Sequence, residues 1–114
     1  VALNNLSWEL LDSDPVQALR WAERAYDVSS DSASVLDTLA MAQMRNKRHE
    51  EARRTIERAL QIDPKRPELL YHEAQIMLAG GRKESARQSL ELVLARYEQF
   101  DEREAAQALL QRLQ

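Results

Sequence analysis

Residues Glu57–Ala74 read ERALQIDPKRPELLYHEA. A helical pattern runs through Ala59 and Leu60 to Ile62, meets Asp63-Pro64, crosses two basic residues, reaches Pro67 and resumes as a helix. Proline disfavours helical geometry in the residue before it, so Asp63 closes the first helix. Pro67 suits the first position of the next, where its missing N–H costs nothing. A connection this short packs the two helices antiparallel. A similar break falls one repeat length earlier, in ERAYDVSSDSASVLDTLA, residues 23–40.

Working outward, the chain matches itself when shifted by 34 residues. Leu36 falls on Leu70, Ala40 on Ala74, Ala52 on Ala86, Ile56 on Leu90, Ala59 on Val93 and Leu60 on Leu94; Ala18 falls on Ala52 and Ala25 on Ala59. Each period holds two apolar stripes at helical spacing. In the middle copy these are Val35, Leu36, Leu39, Ala40 and Met44, then Ala52, Ile56, Ala59 and Leu60. The breaks between them have their own signals. Asp14-Pro15 with Gln17 reads as a capped helix start. Asn46 in RNKRH and Gly80-Gly81 read as helix ends in the left-handed conformation. One helix pair cannot bury its apolar stripe alone, so successive pairs must stack.

Composition agrees with an all-α protein of one domain. The 114 residues include two glycines and three prolines, leaving little room for hairpins, and only 5% are aromatic, so the core must be aliphatic. Sixteen basic and nineteen acidic residues are intermixed, for a net charge of −3. This gives no basic face for nucleic acid. No apolar run is long enough to span a membrane. The absence of cysteine excludes disulfides and thiolate metal sites and fits a bacterial cytoplasm or periplasm equally. The chain begins at Val1 and is read as a piece of a longer protein.

The pattern of large and small residues resembles the tetratricopeptide repeat. The middle copy matches with Leu36, Leu39-Ala40, Ala52, Ile56, Ala59 and Pro64. The third matches with Leu70, Ala74, Gly81, Ala86 and Leu90, Val93 replacing the alanine. The first matches with Leu3, Leu6-Ser7, Ala18, Ala25 and Ser30. Its inter-helix turn reads as one residue shorter. The resemblance implies a right-handed α-solenoid of about three helix–turn–helix repeats, 1–32, 33–66 and 67–100. A capping helix over 101–114 follows, with Ala105, Ala108, Leu109 and Leu113 facing inward. Glu73 and Gln43 depart from the pattern by standing at large-residue positions. Glu73 is expected to reach the edge or to pair with Arg82, Arg87 or Arg103, or else to be held toward a ligand or a neighbouring repeat. More weakly, NNLSWELL, VLDTLA, LLYHEA and FDEREAAQALL resemble bacterial tetratricopeptide lipoproteins of exopolysaccharide export and surface-protein sorting.

Signals for chemistry are poor. HEEAR begins like the H-E-x-x-H zinc pattern, but Arg53 replaces the second histidine, so His49 has no metal partner one turn on. His72 is the remaining histidine. Gly80-Gly81 lacks phosphate-loop spacing, and Ser29, Ser30, Ser32 and Ser34 form a polar turn. Acidic residues fall at i,i+4 to partners, as in Glu50–Arg54 and Glu84–Gln88, which suits solvated helix faces. The reading is therefore no enzyme, no cofactor and no metal.

In the tetratricopeptide family the free face of each first helix lines a concave groove. Here the resemblance implies a groove of Asn4, Asn5, Trp8 and Leu11, then Asp37, Thr38, Met41 and Arg45, then Tyr71, His72, Gln75 and Leu78. Trp8 and Tyr71 are the types that anchor interfaces. Asp37 and Tyr71 stand where a carboxylate clamp would need positive charge. The leading expectation is an interaction scaffold that binds another protein or a peptide segment. The alternative is a structural C-terminal cap or spacer of a longer solenoid in an envelope or exopolysaccharide assembly, with no ligand of its own. A third is self-association through the open N-terminal end.

Overall fold

A computed structural model describes residues 2–114. It contains seven helices and, among the described residues, no strand: α1 (Ala2–Leu10), α2 (Pro15–Val28), α3 (Ala33–Arg45), α4 (His49–Ile62), α5 (Pro67–Ala79), α6 (Lys83–Arg96) and α7 (Arg103–Leu113). Each helix packs on the next. The result is a stack of three helix pairs followed by α7, an all-α helical repeat solenoid.

Local chemistry sets the boundaries. Asp14 caps α2, its Oδ1 accepting from the Gln17 N–H at 3.2 Å, with Pro15 in the first turn. Ser32 caps α3 through the Val35 N–H at 3.2 Å. Pro67 opens α5, and Asp63 closes α4. At the α3–α4 corner the left-handed residue is Lys47 (φ 63°), not Asn46 (φ −94°). Asn46 instead turns its side-chain amide to the carbonyls of Ala42 and Pro15, each at 2.8 Å, and so ties this corner to the start of α2. Of the two glycines, only Gly81 (φ 84°) occupies the left-handed region. Gly80 permits close approach, since a Cβ there would lie 3.3 Å from the Cβ of His49.

The α1–α2 connection is not shortened. It runs over four residues, 11–14, against three in 46–48 and 80–82. The missing length lies in α1, which stops three residues after Ser7, whereas α3 continues five beyond Ala40. Ser7 occupies the small-residue position fully buried, its hydroxyl donating to the Ala18 carbonyl at 2.8 Å.

Alanines decide how closely the helices approach. Ala18, Ala22, Ala40, Ala52, Ala59, Ala74 and Ala86 have no exposed surface. Leu36, Ile56, Leu69, Ile76 and Leu90 fill the space between them; each contributes about 1.5–3 kcal/mol through burial. One apolar cluster joins α1 to α5, and a second gathers Tyr71, Ala74, Ala86, Leu90, Ala106 and Leu109. The inward stripe of α7 is therefore Ala106 and Leu109 with half-buried Leu110 and Leu113, while Ala105 and Ala108 face solvent. The expected stripe was off by one residue at both alanines because α7 offers small residues on two adjacent faces.

Charged faces follow a different register from the expected one. Arg53 bridges Glu50 and Glu57 at 3.0 Å each, and Arg87 bridges Glu84 and Glu91. Glu50 also reaches Arg82 at 2.8 Å, linking consecutive corners. None of the three expected arginines pairs with Glu73. Arg82 and Arg87 are engaged as described, and Arg103 donates to the carbonyls of Leu94 and Tyr97. Glu73 is half-buried, and that burial is the main cause lifting its carboxyl above the usual range; Glu57 adds to the effect, while a Ser89 hydrogen bond opposes it. Gln43 is buried and accepts from the Thr55 hydroxyl at 2.8 Å.

Candidate interaction surface on the odd-numbered helices

α3 touches both α1 and α5, so α1, α3 and α5 lie side by side. No comparable contact joins α2 to α4 or α4 to α6 among the described residues. α3 is enclosed by α1, α2, α4 and α5, and it is buried almost continuously from Ala33 to Met44.

That enclosure reshapes the set of surface residues read from the sequence. Asp37 (5% exposed), Thr38, Met41 (2%), Tyr71 (9%) and His72 (6%) are buried and cannot present wide surface to a partner. Leu11 is likewise in the core. Asn4, Arg45, Gln75 and Leu78 are half-buried, and Asn5 and Trp8 are exposed. The physical reason is closure from both sides: α1 and α5 crowd against α3, and the segment entering α7 lies against α5. Thr38 spends its hydroxyl on the Ser34 carbonyl of its own helix, at 3.0 Å.

Asp37 and His72 belong to a polar cluster that joins α3, α5 and the α6–α7 connection and carries Trp8 of α1 against it. Asp37 Oδ1 of α3 lies 2.7 Å from His72 Nδ1 of α5. His72 Nε2 faces Glu102 Oε2, at the entry to α7, across 3.7 Å. The Trp8 ring of α1 stands 5.6 Å from the imidazole, tilted by 43°. Burial is the chief influence raising the Glu102 carboxyl, with His72 pulling the other way. The Tyr71 hydroxyl is also raised, by burial first and then by Glu102, against Arg112. The 2.7 Å contact with Asp37 is a hydrogen bond, whereas at 3.7 Å Glu102 is only an electrostatic neighbour of the imidazole. Asp37 and His72 answer one another, while Glu102 Oε1 is buried without a hydrogen-bond partner among the described residues; the cluster acts as a clasp between helices.

Beside the clasp, α3, α5 and α7 form an open cleft of about 260 Å³, lined by Met44, Arg45, Tyr71, Gln75, Leu78, Ala79, Leu109 and Arg112. Arg45 also donates to Asp12 at 3.0 Å. Sequence reasoning reached Arg45, Tyr71, Gln75 and Leu78. It missed Glu102, Leu109 as a cleft wall, and Arg112, because the α6–α7 connection stands outside the 34-residue period and gives no register for α7. Elsewhere Trp21 of α2 is half-buried under the Arg24 guanidinium, 5.1 Å from the ring centroid. No group of three His, Cys, Asp or Glu side chains with metal-holding geometry occurs among the described residues, and no helix is long and apolar enough to cross a membrane.

Residues 56–113 match a family model described as tetratricopeptide repeat, and residues 33–76 match a second model of the same description. No curated protein matches the sequence. Among solved structures, the Thermobaculum terrenum O-GlcNAc transferase superposes with a TM-score of 0.84 at 20% identity, over 98% of this chain and 21% of that one. The chain thus spans about a fifth of that protein. The Yersinia enterocolitica type III secretion translocator chaperone SycD superposes with 0.79 at 18% identity, over 98% of this chain and 89% of SycD. The second TPR domain of human RPAP3, in complex with the HSP70 peptide SGPTIEEVD, superposes with 0.77 at 17% identity, over 97% and 91%. At these identities the superpositions speak for the fold.

Proposed function

Because this chain belongs to the tetratricopeptide repeat family, we propose that it is a non-enzymatic protein-interaction scaffold that holds a segment of another protein along α1, α3 and α5. The observation that carries the reading is the asymmetry of the stack. α3 touches α1 and α5, and among α2, α4 and α6 no pair touches comparably. The closer layer of a curved stack is its inner, concave side, where solenoids bind their partners. Structures of the same fold support the reading: one is a complex of SycD with a peptide of the translocator YopD, and another is the RPAP3 complex with an HSP70 peptide. We divide the chain into repeats over 1–32, 33–66 and 67–100 with a cap over 101–114.

The recognition surface on this reading is Asn5, Trp8, Arg45 and Gln75, with Asn4 and the exposed edge of Tyr71; Asp37, Thr38, Met41 and His72 form the floor that supports them. A test must therefore spare the floor. A peptide-display selection against the folded chain, repeated with an Asn5→Ala/Gln75→Ala variant that circular dichroism shows to be folded, distinguishes the readings. Peptides retained by the parent and lost by the variant support the scaffold. No retained peptide favours the spacer role, in which the chain only extends and closes a longer array, and peptides that bind both equally overturn this choice of surface.

A further inference from the structure

Resting on that scaffold reading, we infer that the cleft between α3, α5 and α7 is the specificity pocket, and that it takes a single apolar side chain from an acidic segment of the partner. Size sets the first limit. At about 260 Å³ the cleft is smaller than the ~300–1,000 Å³ of pockets that enclose whole small molecules, and it suits one large side chain. Its walls are apolar: Met44 from α3, Leu78 from α5 and Leu109 from α7.

Charge sets the second limit. Arg45 and Arg112 both line the cleft, and no carboxylate does. In a chain with a net charge of −3 this is a local reversal of sign. Arg112 is exposed and makes no ion pair among the described residues. Arg45 pairs only with Asp12, whose side chain is 87% exposed. An ion pair that open to water is weak, so a ligand carboxylate can displace it. Two guanidinium forks at the mouth of an apolar pocket match carboxylates flanking an apolar residue. Gln75, between them, offers an amide to the backbone of an extended segment.

The cleft also differs from the other depressions. One is built from α2 alone and has no second wall. Another, at the α3–α4 and α5–α6 corners, is closed over by the Glu50–Arg82 pair. Unlike these two, the cleft at α7 combines three helices, apolar side chains and two arginines with no carboxylate in its lining. Because Leu109 and Arg112 belong to α7, this helix contributes recognition in addition to closing the array.

The test is a nuclear magnetic resonance titration of the isotope-labelled chain with three blocked peptides: acetyl-Glu-Glu-Leu-Glu-Glu-amide, acetyl-Lys-Lys-Leu-Lys-Lys-amide and acetyl-Glu-Glu-Ser-Glu-Glu-amide. The first is expected to shift the amides of Gln75, Leu78, Leu109 and Arg112, and to bind at least about tenfold more tightly than either of the others. Arg112→Glu is expected to weaken it about tenfold and to improve the lysine peptide. Ala79→Trp, which fills the mouth from an exposed position, is expected to weaken both peptides that carry leucine. Circular dichroism confirms that both variants are folded. Equal binding of the acidic and basic peptides, or indifference to Arg112→Glu, overturns the inference. If displayed peptides shift residues of α1 and α3 and ignore both variants, the pocket assignment fails and the scaffold stands. If no peptide binds anywhere, both fail.

Discussion

Replacing His72 with alanine removes the middle of the clasp, and its cost can be worked from the geometry. The Asp37 and His72 side chains are each 8% exposed and meet at 2.7 Å. A hydrogen bond to a charged group contributes about 1.5–3 kcal/mol, and losing it leaves the Asp37 carboxylate buried without its partner. The contact between the imidazole and Trp8 adds about 0.5–1.5 kcal/mol. The expected loss is therefore about 3 kcal/mol, which lowers the melting temperature of a domain this size by about 12 °C. Urea unfolding followed by circular dichroism measures it, with an unchanged slope showing that the native fold is kept. The sharper arm is a double-mutant cycle. Asp37→Leu and His72→Leu should each be strongly destabilising, while the double variant should recover most of the loss, because two apolar side chains need no partner. A loss below about 0.5 kcal/mol for His72→Ala, the level of an ordinary surface change, would refute the reasoning. So would single costs that simply add.

Glu73 gives a pH dependence. Its carboxyl is raised chiefly by burial, so the folded chain holds the proton more tightly than the unfolded one. Stability then falls as pH rises from the ordinary carboxylate range through the raised one. Glu73→Gln should match the parent in acid, exceed it at neutral pH and flatten the melting-temperature profile between. Gly81→Ala should cost about 1 kcal/mol through backbone strain at φ 84° alone, since nothing lies within 4 Å of the added carbon; Lys47→Gly, at φ 63°, should stabilise by several tenths of a kcal/mol. Both are read by urea midpoint. Ser7→Ala removes the buried bond to Ala18 and should cost about 1 kcal/mol, with hydrogen exchange rising first in α1 and α2.

The sequence by itself determined the family and the helical repeat fold. Proline after Asp63, proline at 67, glycine at 81 and an alanine–leucine code at a 34-residue period are local or near-local signals. They act through backbone geometry and helix spacing, which depend little on what lies farther away. The candidate site was legible only as a face. Which residues of that face see solvent was decided by tertiary structure, because α1 and α5 close on α3 and bury Asp37, Thr38 and Met41. The clasp and the cleft were invisible for the same reason. His72 and Glu102 are 30 positions apart, Tyr71 and Arg112 are 41 apart, and the connection into α7 breaks the period that would have aligned them. Periodicity encodes the side of a helix that must be buried; only packing decides what covers it and which charges are left facing one another.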